Sequence, residues 1–153
     1  MTEIRFYHLQ TRTQDQTLPA LLSKAHDMGK RIVVKMRTKQ EVTALDKLLW
    51  VFNSSSFLPH GSAVSMKEAE AKLQPIWLTD IDENPNEADV LVVGHGADSE
   101  MYGDFSLCCK VFDGHDGEAV AKAREDWKAY KDQDFELTYW QQDEQGGWAK
   151  RST

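Results

Sequence analysis

Apolar positions along the chain follow two alternating periods. Leu18, Leu21, Leu22, Ala25 and Met28 fall on one face at helical spacing, with Thr17 placed to cap the helix and Gly29 to stop it. Val42, Leu45, Leu48, Leu49 and Phe52 make a second such stripe, on a helix from about Gln40 to Trp50. Short apolar or alternating runs around these helices read as strands: "EIRFYHL" (3–9), "RIVVKM" (31–36), "PIWLT" (75–79), "ADVLVVGH" (88–95), "SLCCKVFD" (106–113) and "FELTYWQQ" (135–142). A further helix spans about Asp116 to Lys131, with Asp116 as its cap and Glu118 beside the positive end of its dipole. Residues 61–74 allow a short helix or an irregular connection. "DEQGGWAKRST" reads as a polar, flexible tail in which Trp148 can dock locally. Strands alternating with helices through short connections predict one α/β domain, residues 1–142, whose sheet is covered on both faces, followed by the tail 143–153.

One aromatic residue breaks the pattern. At about 100° per residue, Trp50 lies roughly 140° from Leu45, well off the apolar stripe. Either the helix frays and Trp50 folds back into the core, or the ring faces outward, just ahead of the apolar loop residues Phe57, Leu58 and Pro59.

Composition narrows the function. The chain's 153 residues suit one domain with a real core, and its formal charge of −7 argues against general nucleic-acid binding, which needs a basic face. No stretch approaches the ~18–20 apolar residues that cross a bilayer. The opening "MTEIRFYHLQ" lacks a secretory layout, so a cytoplasmic location is expected. Cys108 and Cys109 are adjacent and would point to opposite faces of a strand, against a disulfide or metal pair.

Enzymatic chemistry is thinly represented. "GHGADS" (94–99) follows a strand, but a dinucleotide fingerprint needs a third glycine and a place after the first strand. In "LTDIDENPNEAD" (78–89), Asp80 and Asp82 could hold Mg²⁺ for a phosphoesterase, yet Asn84-Pro85-Asn86 equally marks a solvated turn. Five scattered histidines form no metal-ligand spacing, and no cofactor is implied.

The helix "HDGEAVAKAREDWKAYKDQ" is more informative. Ala119, Ala123 and Tyr130 lie within about 40° of one another and face the sheet. Arg124, Lys128 and Lys131 fall within about 60° on an adjoining face. Trp127 lies between the two sets, with Val120 nearby. This row is either a solvated face balanced by Glu125, Asp126 and Asp132, or a seat for an acidic peptide.

An ordered series of segments then carries a family resemblance: "FYHL", "LDKLLWVFNSSSFLPH", "PIWLTDIDENPNEADVLVV", "VFDG" and "AREDWKAYKDQDFELTYWQQ". In this order and spacing the chain resembles the chi subunit of bacterial DNA polymerase III, less so over 61–74 and after Gln142. The resemblance implies a Rossmann-like, mostly parallel sheet without a working nucleotide site. It implies a non-catalytic clamp-loader accessory that joins the psi subunit to the acidic C-terminal tail of single-stranded DNA-binding protein, with no tight hold on DNA itself. Arg124, Trp127 and Lys128 match the family's tail-binding helix, flanked here by Val120 and Lys131. Val120 stands where a lysine can occur in the family, which implies a less basic pocket. Trp50, Phe57 and Pro59 match the surface that receives psi.

Overall fold

The computed structural model describes residues 2–52 and 58–151. In chain order the elements are β1 (Thr2–Leu9), α1 (Gln14–Asp27), β2 (Ile32–Lys35), α2 (Lys39–Val51), β3 (Gly61–Ser62), α3 (Glu68–Ala71) and β4 (Ile76–Thr79). They continue with β5 (Val90–Val93), a 3₁₀ turn (Tyr102–Asp104), β6 (Leu107–Asp113), α4 (Gly117–Lys131), β7 (Phe135–Gln142) and β8 (Trp148–Arg151). The strands form one sheet in the order β3-β4-β2-β5-β6-β1-β7-β8, parallel throughout except for the antiparallel pair β7–β8. This is the doubly covered α/β architecture that the alternation of elements predicts, and the Rossmann-like, mostly parallel sheet that the family resemblance implies.

The period-2 alternation of the strands builds two cores. Tyr7 and Leu9 of β1 join Leu18 and Leu22 of α1 and Val42, Leu45 and Leu49 of α2 on one face. Ile4 and Phe6 point the other way and pack with Phe105, Phe112 and Ala123 of α4. Cys108 and Cys109 split between the same two faces as unbridged, buried thiols, and burial pushes each up to about 12. Inside the sheet, two strands from the β8 edge, β1 is hydrogen-bonded to β6 and β7, with Phe6 level with Lys110 on one side and Tyr139 on the other.

Local expectations at both ends of α1 and in the C-terminal segment are corrected. The α1 helix is capped by Thr13, not Thr17: Thr13 Oγ1 accepts from the Gln16 amide at 3.2 Å, and Gln16 Oε1 accepts from the Thr13 amide at 2.9 Å. This reciprocal box satisfies two amides, whereas the residue three places after Thr17 is Ala20, which cannot return the bond. Met28, expected on the buried stripe, caps the helix C-terminus and is 66% exposed. Part of the segment read as a flexible tail forms β8. Asp143 turns the chain by accepting from the Gln145 and Gly147 amides, and Trp148 packs edge-on against Tyr7 at 5.0 Å. The undecided stretch 61–74 contains β3 and the single turn of α3.

Candidate functional site

On α4, Asp116 accepts from the amides of Glu118 (3.0 Å) and Ala119 (3.3 Å), which fixes the start of the helix. The helix then presents Ala123 to the sheet, and Trp127 sits half-buried against Phe6 (5.4 Å) and Tyr139 (6.1 Å). Val120 packs partly buried on the same side. Arg124, Lys128 and Lys131 are exposed beside this apolar wall. Asp126, one of the acids that could have balanced them, is buried instead. It receives Lys110 Nζ at 2.6 Å and a second bond from Lys122. Among the described residues, none of Arg124, Lys128 and Lys131 forms an ion pair.

Two further residues complete this surface. His8, at the end of β1, has its Nδ1 2.7 Å from the Tyr139 hydroxyl of β7. Burial, and then the nearby positive charge of Arg124, hold the His8 imidazole below its usual range. Burial raises Tyr139, with Arg124 opposing. The positive charge of Arg124 thus acts on both members of the His8–Tyr139 pair. Sequence reasoning did not single out either residue. Alternation alone places His8 on the Phe6 side of β1, but nothing in the sequence shows that β1 pairs with β7. Chemically, unpaired cations over an apolar wall suit a carboxylate-bearing ligand with an adjoining apolar group.

The second candidate surface lies across the sheet, because α2 packs on the opposite face from α4. Trp50 is 54% exposed, with its ring 4.9 Å from His60. The buried His60 bridges Asp46 Oδ1 (2.9 Å) and the Leu58 carbonyl (2.8 Å), tying the segment after α2 to the helix. Leu58 is buried and Pro59 half-buried. Phe57 lies outside the described residues.

Of the pair Asp80 and Asp82, Asp80 is half-buried at the end of β4 and Asp82 is structurally committed. Asp82 Oδ1 meets Lys35 Nζ at 2.8 Å and the Ser99 hydroxyl at 2.7 Å, while Oδ2 accepts from the Glu100 amide at 3.1 Å. Burial raises its carboxyl, but these bonds outweigh burial and hold it below the usual range. Asp82 thus braces two loops. Its neighbour Glu83 accepts from Trp77 Nε1 (3.2 Å) and the Thr79 hydroxyl (2.5 Å), so this turn caps β4. Among the described residues no three or more His, Cys, Asp or Glu side chains are grouped to hold a metal ion. Nor is any described helix long and apolar enough to cross a membrane.

A crevice of about 360 Å³ opens where folds of this type bind nucleotides, beyond the C-terminal ends of β5 and β6. Gly94 and Gly96 line it, and so do Asp98, Asp116, Glu118 and Asp126, against Arg37, Lys110 and Lys122. The first amides of α4 are already taken by Asp116, so the crevice is a poor phosphate cradle.

Fold and site together define a Rossmann-like domain that carries its unpaired cations and exposed aromatic on outer helix faces rather than in the strand-end crevice. The profile of the family described as DNA polymerase III chi subunit, HolC, matches residues 1–138, and the chain belongs to that family. It is also similar to the probable DNA polymerase III subunit chi of Rickettsia prowazekii (strain Madrid E), 30% identical over 93 residues. That match covers 61% of this chain and 54% of the relative, so the chain spans about half the relative's length.

Proposed function

We propose that this protein is a non-catalytic accessory subunit of the DNA polymerase III assembly in the cytoplasm. It links the clamp loader to single-stranded DNA-binding protein by holding that protein's acidic C-terminal tail against α4. Membership of the chi family supports the polymerase assignment. The observation that carries the tail assignment is the row Arg124, Lys128 and Lys131, free of ion pairs among the described residues and set beside Trp127, in a chain of net charge −7. The Trp50 surface, on the other face of the sheet, is the proposed seat of a psi-like subunit, so one domain holds two partners apart. Bare single-stranded DNA is not a tight ligand in this reading, since the chain's charge repels phosphates.

The test is a fluorescence-anisotropy titration with a labelled peptide of the acidic tail. The native protein binds it, more weakly as salt rises. Arg124→Ala weakens binding roughly 10- to 100-fold, since a charge-assisted contact is worth ~1.5–3 kcal/mol. Unchanged affinity in that variant refutes the site.

A further inference from the structure

A second cleft, of about 410 Å³, opens on the other face of the sheet between α1, the strands and β8. Its floor is apolar and deep: Tyr7, Val90, Val92 and Cys109 are all buried. Leu21, Ala25, Leu107 and Trp148 form partly buried walls. The volume lies within the ~300–1,000 Å³ typical of small-molecule sites.

The charge around this cleft is one-sided. Arg5, Arg12, Lys24 and Lys30 line it, and no Asp or Glu does, in a chain with 25 acidic residues and 18 basic ones. Glu3 neutralises Arg5 at 2.8 Å. Among the described residues Arg12, Lys24 and Lys30 form no ion pair. Arg12 is also held in place. The Gln142 side-chain oxygen accepts from the backbone amides of Gln10, Thr11 and Arg12, which pins the loop to the end of β7. Gly146 provides the room, because a Cβ there would stand 2.3 Å from Arg12 Nε. One polar group is left over as well: Thr17, which lines the cleft, has a buried hydroxyl with no hydrogen-bond partner among the described residues. That oxygen is itself closed off from the cleft, so recognition of a ligand there falls to the apolar floor and to Arg12, Lys24 and Lys30.

We propose that this cleft binds a small amphiphilic anion, with an apolar body lodged between α1 and the sheet and a carboxylate or phosphate among Arg12, Lys24 and Lys30. The site is separate from the basic row on α4, which occupies the opposite face. It does not depend on the tail-binding assignment.

An NMR titration of the full chain tests this with decanoate, decyl phosphate and decanol, each below its micelle threshold. Saturable binding of decanoate or decyl phosphate is expected, with shifts centred on Leu21, Ala25, Leu107 and the Trp148 indole. The stronger of the two identifies the acid group. Decanol should bind at least 10-fold more weakly. The exposed pair Arg12→Gln/Lys24→Gln should lose about 10-fold for the anion and little for decanol, while Arg124→Ala leaves all three ligands unaffected. Equal affinity for decanol and decanoate, an unchanged double variant, or no saturation by millimolar ligand overturns the proposal. A failure here leaves the peptide titration at Arg124 untouched, so the two readings stand or fall separately.

Discussion

Arg124 is the residue on which the tail assignment turns. Its guanidinium offers a planar fork that can take both oxygens of a terminal carboxylate, whereas Lys128 offers only a point charge nearby. Arg124→Lys therefore recovers only part of what Arg124→Ala loses. Amidating the peptide's C-terminus should cost the native protein far more than it costs Arg124→Ala, since both changes delete the same contact. A double-mutant cycle on the anisotropy titration measures this, and equal losses would place the carboxylate elsewhere. Trp50 makes the converse case. More than half of its surface is exposed, and it packs on His60 rather than in the core, so removing it leaves the main packing in place. Trp50→Ala should weaken psi binding by about 2 kcal/mol or more while the melting temperature changes little. A large drop in melting temperature would mark the ring as structural.

At the scale of elements, sequence periodicity located α2, α4 and the six longest-patterned strands, because each carries a full stripe or alternation that only one structure buries. The start of α1 and the strand β8 were missed for different reasons. Three residues separate Thr13 from Thr17, and both can cap; the choice rests on Gln16, whose side chain closes the box. In β8 the four residues Trp148–Arg151 include a single large apolar side chain, too short a pattern to stand out from a polar tail. What holds that strand is tertiary: pairing with β7 and the contact of Trp148 with Tyr7. Trp148→Ala should accordingly cost about 2 kcal/mol in urea unfolding, as burying a large apolar side chain contributes ~1.5–3 kcal/mol. It should also loosen β8 before the rest, seen as faster amide exchange over residues 148–151.

Across the whole molecule, the basic row of the candidate site was legible and its setting was not. The i, i+4, i+7 spacing of Arg124, Lys128 and Lys131 is a property of one helix. The His8–Tyr139 pair joins residues 131 positions apart, and Asp126 looked like part of a solvated face until Lys110 of β6 drew it inward. Long-range carboxylate contacts of this kind also set the response to acid. Asp82 and Asp98 are each pushed up by burial, yet are held net below their ordinary value of 3.8, chiefly by hydrogen bonds from Lys35 and Tyr102 respectively. Their folded-state values are depressed, so their contribution is fully present above that ordinary value and is lost as pH falls through the folded one. The contribution of these two carboxylates to the urea midpoint should hold between pH 7 and pH 5 and be lost below about pH 4, beneath an earlier decline that begins near pH 6.5 because His8 is held below its usual range. Asp82→Asn should flatten the acid limb. An unchanged limb in that variant would show that Asp82 is not held in this way.

The position of β1 has a consequence for how the chain is made. β1 leaves the ribosome long before either of its partners, for its neighbours in the sheet are residues 107–113 and 135–142. At a synthesis rate of ~5–20 residues per second, the apolar run "EIRFYHL" waits on the order of 10 seconds before both its edges can be filled. Loop closure over such separations makes the final docking step slow compared with helix formation. Nascent chains of this protein are therefore most vulnerable to misassembly through their N-terminal strand, and a truncation before β7 leaves one edge of that strand open to a neighbour.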